Sequence, residues 1–255
     1  MVLRRLMLVV VLGAGALGIS NTWANGPEVI STGATLIPVR SSAVRLVLET
    51  VHIDLPVPLA SGGRVECDYH LKNTIDESVA FSMAFVTAMS GQQAEDVAEV
   101  FKDSGFRVVA DGHELPSRLQ PISPEDWEPF VSDPPESLRV WDLSMPPGGE
   151  IHLNISYNVW PAPREDSTGT WYTFTYPARP ASLWAGEVAA AEFIFTVGGL
   201  GGPLLECLLT QSDCVTARIA PEGYAWTGQG LSWRFINWEP DRDFEVSLRV
   251  PDVVK

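Results

Sequence analysis

Apolar and polar residues alternate along much of this chain. Val65, Cys67, Tyr69 and Leu71 alternate with Arg64, Glu66, Asp68 and His70, a period of two that gives a strand one dry face and one wet face. Ile151, Leu153, Ile155, Tyr157 and Val159 repeat the pattern against His152, Asn154, Ser156 and Asn158, and Phe244, Val246, Leu248 and Val250 repeat it against Glu245, Ser247 and Arg249. Half-solvated strands of this kind belong to antiparallel sheets. Between Ala43 and Leu55 the phase slips: Val44, Leu46 and Leu48 occupy even positions, whereas Val51, Ile53 and Leu55 occupy odd ones. A β-bulge near Glu49-Thr50 would keep both halves of one long strand facing the same core. Asp111-Gly112, between Phe106–Ala110 and His113–Leu115, is a two-residue hairpin signal.

One stretch breaks the strand pattern. Ser90 and Gln93 form a capping box, and Ala94, Val97, Ala98 and Phe101 follow at helical spacing, which predicts a short amphipathic helix over 92–104. Residues 161–170 mix proline, charge and glycine as a linker does. Strand patterns resume beyond it at 171–176, 188–197, 215–219, 223–226, 231–238 and 244–250. The expected fold class is all-β, as two antiparallel, immunoglobulin-like β-sandwich domains at 25–160 and 171–255 joined by the linker at 161–170. A chain of 255 residues could also hold one larger domain.

Residues 1–24 read as a secretory signal peptide. Arg4 and Arg5 precede the apolar run from Leu6 to Ile19, and Thr22-Trp23-Ala24 offers small residues at the cleavage positions. The run is shorter than the roughly 20 residues of a spanning helix, so the expectation is a secreted or periplasmic protein with no membrane insertion after cleavage. Export changes how the cysteines read: Cys207 and Cys214 are expected to form a disulfide, and Cys67, on the apolar face of its strand, to be a buried inert thiol. With 17 basic against 32 acidic side chains, the net charge is −15. That excess repels nucleic acid and anionic lipid.

The spacings of common catalytic sites are missing: no Gly-x-Ser-x-Gly, no His-Glu-x-x-His and no phosphate-binding glycine loop. No cofactor is implied. His52, His70 and His152 lie on outward strand phases and, if their strands were neighbours, could converge with Asp54 or Asp68 on a transition metal. Three solvated histidines are the simpler expectation. The stretch Pro121–Glu136 is rich in proline and acid, has no helix or strand period and carries Trp127 and Phe130. Glu125, Asp126, Trp127, Glu128, Phe130 and Asp133 are therefore the candidate binding residues, since a long loop in a compact domain often carries function. Tryptophans 127, 141, 160, 171, 184, 226, 233 and 238 either fill cores or, where exposed, offer stacking surfaces for sugars.

Four segments together resemble a known group: Ala34–Glu49, Arg64–Asn73, Trp184-Ala-Gly-Glu-Val188 and Trp233–Pro240. They are similar to secreted bacterial proteins that carry a β-rich domain of unknown function. The resemblance implies an exported, β-rich bacterial envelope protein and assigns no activity to any residue. The function expected from all of this is a non-enzymatic envelope protein that recognises another protein or an envelope polymer. The alternatives are a carbohydrate-binding or carbohydrate-cleaving module and a metal-binding envelope protein.

Overall fold

A computed structural model describes residues 36–38, 43–56, 58–86, 105–121, 137–160, 162–166, 169–176, 178–198, 216–227 and 230–250. Their strands are β1 (Leu36–Pro38), β2 (Val44–Leu55), β3 (Gly63–Asn73), β4 (Val79–Val86), β5 (Arg107–Ala110), β6 (His113–Glu114), β7 (Arg118–Pro121) and β8 (Ser137–Met145). They continue with β9 (Glu150–Val159), β10 (Ala162–Asp166), β11 (Gly169–Tyr176), β12 (Val188–Val197), β13 (Thr216–Ala220), β14 (Ala225–Trp226), β15 (Gly230–Trp238) and β16 (Phe244–Val250). Short 3-10 turns stand at Leu59–Ser61 and Arg179–Leu183. Apart from these turns, the regular elements of the described residues are strands, consistent with an all-β fold. The expected helix over 92–104 and the signal peptide at 1–24 lie outside the described residues.

Three sheets form. The largest has eight strands in the order β14-β15-β12-β2-β3-β9-β5-β6, and two four-stranded sheets run β1-β4-β8-β7 and β10-β11-β16-β13. Both small sheets pack on the same face of the large one. Phe85 of β4 meets Tyr157 of β9 at 4.9 Å between ring centroids. On the other half, Phe193 of β12 stacks on Phe244 of β16 at 4.0 Å, and Phe174 of β11 lies 5.9 Å from Phe195 of β12. One continuous apolar core results, drawing buried side chains from all three sheets.

The sharing of strands departs from the two-sandwich expectation. β12 lies beyond residues 161–170, β2 before them, and the two pair in parallel inside the eight-stranded sheet, from Ala190 with Leu48 to Val197 with Leu55. The segments 25–160 and 171–255 thus build a common sheet. Half of the expected linker is itself a strand, β10, which pairs with β11 from Ala162–Thr173 to Asp166–Gly169. Its place at a sheet edge suits a strand that carries Pro163, since proline is tolerated on edge strands.

Two glycines show how tightly the framework is made. Gly112 has φ of 81° after Asp111 at 49°, the left-handed pair that a two-residue turn between β5 and β6 needs, and Ala110 pairs with His113 across it. Gly230 lies opposite Thr196, and a Cβ there would fall far inside contact with the carbonyl oxygen of Phe195. Gly230→Ala is therefore expected to cost about 1–3 kcal/mol by forcing β15 away from β12. Urea unfolding of the variant checks this, and an unchanged midpoint would refute it.

Candidate functional site

Two places on this framework hold side chains that a core or a plain surface does not explain. The first is the outer face of the eight-stranded sheet. Its charged residues are mostly paired among themselves: Arg64 with Glu66 at 2.8 Å, Lys72 with Glu150 at 2.8 Å, Arg107 with Glu114 at 2.8 Å and Arg234 with Glu192 at 2.7 Å. Asp54 accepts from Thr196 and Asp68 from Asn154. One cross-strand row differs. Ile236, Ala190, Leu48, His70 and His152 stand side by side across β15, β12, β2, β3 and β9, with no carboxylate or guanidinium among them. Ile236 is 73% exposed and Leu48 37%. The Arg234–Glu192 pair flanks the row on one side, and Arg45, Lys72 and Glu150 flank it on the other.

Of the three histidines, the structure brings two together. His70 and His152 are direct cross-strand partners with ring centroids 5.9 Å apart, and His70 Nε2 lies 3.3 Å from Glu150 Oε2. His52 pairs with Glu66 four positions along β2 from Leu48, the neighbour of His70, so it takes no part. At about 3.4 Å per residue, that offset is too long for a shared ligand. Among the described residues no group of three His, Cys, Asp or Glu side chains is arranged to hold a metal ion. Glu125, Asp126, Trp127, Glu128, Phe130 and Asp133 lie outside the described residues, as do Cys207 and Cys214.

The second place is inside the core. The register of β2 against β3 shifts between Leu46 and Leu48, earlier than the phase slip suggested. The consequence is chemical: Leu48 turns outward and Glu49 turns inward, where it is 2% exposed. Its Oε1 accepts from the Tyr176 hydroxyl at 3.1 Å, and the hydroxyls of Tyr176 and Tyr69 lie 2.9 Å apart. Oε2 has no partner. Burial pushes the carboxyl pKa up to about 8, against a smaller opposing pull from the Tyr176 hydrogen bond. Burial likewise raises the Cys67 thiol beside this cluster to about 12, and it raises both tyrosines. Cys67 is a free, buried thiol, as its strand phase predicts, and a poor nucleophile.

Sequence reasoning missed Glu49 because it assigned that residue to the bulge itself. The only available signal was the phase slip, which locates a bulge to within a few residues without saying which side chain it turns inward. Ile236 was missed for a similar reason: Asn237, with φ of 49°, interrupts the alternation so that Trp238 returns to the core. Most of the described tryptophans fill the interior, with Trp141, Trp171, Trp184, Trp233 and Trp238 buried, Trp226 half-buried and Trp160 40% exposed.

No protein family and no curated protein matches the sequence. Among solved structures, a candidate nutrient-binding protein of Legionella pneumophila is similar with a TM-score of 0.64 and 17% identity, over 86% of this chain and 72% of that one. An M1 zinc metallopeptidase of Deinococcus radiodurans aligns more loosely, with a TM-score of 0.36 and 8% identity over 82% of this chain and 43% of its own. At these identities the Legionella protein speaks for the fold alone, and the metallopeptidase alignment carries no argument.

Proposed function

We propose that this is a non-catalytic recognition protein that binds another protein through the outer face of its eight-stranded sheet, acting after export from the cell. The observation that carries this reading is the row Ile236–Ala190–Leu48–His70–His152. An exposed aliphatic and imidazole stripe, bordered by charges that already have partners, has the composition of an interface centre with a polar rim. Internally satisfied charges gain little from small charged ligands, whereas Ile236 and Leu48 gain by leaving water. The general likeness to a candidate nutrient-binding protein fits a binding role without naming what is bound. Trp127 in the acidic 121–136 segment stays a second contact in this proposal, and Arg4, Arg5 and the apolar run after them support export.

A photo-crosslinking residue placed at Ile236 or Leu48, with one at the exposed Ser144 of β8 as control, tests the reading in the native envelope. A discrete adduct is expected from the first two positions and not from the third. Ile236→Arg should abolish capture by the Leu48 probe without changing the melting temperature, because the side chain is mostly in water. An adduct from Ser144 alone, or capture indifferent to Ile236→Arg, would refute the site. A glycan in the adduct in place of a polypeptide would overturn the proposed partner class.

A further inference from the structure

The core of this protein contains an ionisable group that neither the fold nor the proposed binding face uses. Glu49 sits on β2 in the eight-stranded sheet, Tyr69 is its direct partner on β3, and Tyr176 reaches it from β11 in the β10-β11-β16-β13 sheet. Elsewhere the contact between these two sheets is aromatic: Phe174 on Phe195, Tyr176 on Phe193, and Phe244 on Phe193 and Trp233. A hydrogen-bonded carboxyl therefore bridges a seam that is otherwise apolar.

Among the described residues no cation compensates it. The titratable neighbours are Cys67 and Tyr69 from β3, Tyr176 from β11 and Tyr157 from β9, all of which are neutral or, if ionised, negative. Asp68, on the outer face of β3, adds a further negative charge near Cys67. From β12 the group opposite Glu49 is the small Ala191, with Phe235 beyond it on β15. A neutral carboxyl is satisfied by this surrounding apart from Oε2. A carboxylate there receives one hydroxyl and leaves its second oxygen buried without a hydrogen-bond partner among the described residues, a costly state in a core.

We propose that Glu49, Tyr176 and Tyr69 form a proton-operated clasp: with the Glu49 carboxyl neutral, the β10-β11-β16-β13 sheet is held against the eight-stranded sheet, and loss of that proton makes the seam between them open more often. Among the described residues no hydrogen bond or ring contact runs from Glu49, Tyr69 or Tyr176 to the β1-β4-β8-β7 sheet, which lies on the other half of the core. The device thus divides the molecule into one half whose docking depends on pH and one whose docking does not.

Amide hydrogen exchange of the intact protein tests this. After correction for base-catalysed intrinsic rates, protection of β11 and β16 should fall by about tenfold per pH unit between pH 6 and 8, while β4 and β8 hold theirs. Glu49→Gln should remove the pH dependence. Tyr176→Phe should extend it to higher pH, because the lost hydrogen bond favoured the charged carboxyl. If Glu49→Gln does not fold, infrared spectra of the unaltered protein decide: the C=O stretch of a protonated buried carboxyl should be present at pH 6 and gone at pH 9. Absence of that band at pH 6 would overturn the proposal, as would equal loss of protection in both halves or pH dependence that survives Glu49→Gln.

Discussion

Phe193→Ala is expected to lower the unfolding free energy by about 3–5 kcal/mol. Phe193 is 1% exposed and lies where β12 meets the β10-β11-β16-β13 sheet. Its ring stacks on Phe244 at 4.0 Å and meets Trp238 at 5.5 Å, Tyr176 at 5.6 Å and Phe235 at 6.2 Å. Removing it strips a common partner from four aromatic rings held on three strands. Those strands are paired into sheets on both sides, so the space cannot close by a simple rotamer change. Equilibrium urea unfolding by tryptophan fluorescence measures the effect. A loss below about 1 kcal/mol would mean that the aromatic cluster repacks and is not what joins the two sheets here.

The second large effect is a difference in pH dependence between the unaltered protein and Glu49→Gln. Folded Glu49 keeps its proton up to about pH 8, whereas in the unfolded chain the carboxyl loses it near 4.5. In between, the unfolded state binds fewer protons than the folded one, so the contribution of this residue to stability is full below pH 4.5 and drains away as pH rises to 8. The loss amounts to about 1.4 kcal/mol per pH unit, about 5 kcal/mol over the window as an upper bound. Glutamine carries no proton to lose, and its side-chain oxygen can accept from Tyr176. Subtracting the two stability–pH curves cancels every other carboxylate, and the difference should favour Glu49→Gln increasingly from pH 5 to 8. Parallel curves would show that Glu49 is ionised in the folded protein at neutral pH and that burial has not raised its pKa.

The two variants probe one seam from its apolar and its polar side. Phe193→Ala weakens it at any pH, and Glu49→Gln changes only how it responds to protons. The outer face is a separate matter: Ile236 contributes little to folding, since most of it remains in water, and losing it should affect binding alone.

Much of this architecture was legible before any coordinates. Strict alternation gave β3, β9 and β16 within a residue or two, because a half-buried strand must place every second side chain in the core. Asp111-Gly112 gave the β5–β6 turn for an equally local reason, the cost of left-handed backbone in other residues. The burial of Cys67 followed from strand phase, whereas which tryptophans face inward did not. What alternation cannot carry is partner choice. The parallel pairing of β2 with β12 joins residues 140 or so positions apart, and nothing local in Val44–Leu55 or Val188–Val197 distinguishes that neighbour from another apolar strand. For the same reason a proline-containing edge strand, β10, looked like a linker. The bulge in β2 was visible as a slip of phase, but its position depends on where β3 hydrogen-bonds, and that placement alone turned Leu48 to the solvent and Glu49 into the core. Local pattern was enough for strands with a wet and a dry face. Which strands share a sheet, and through that pairing which carboxylate is buried and which aliphatic row is left in water, was set by contacts between distant parts of the chain.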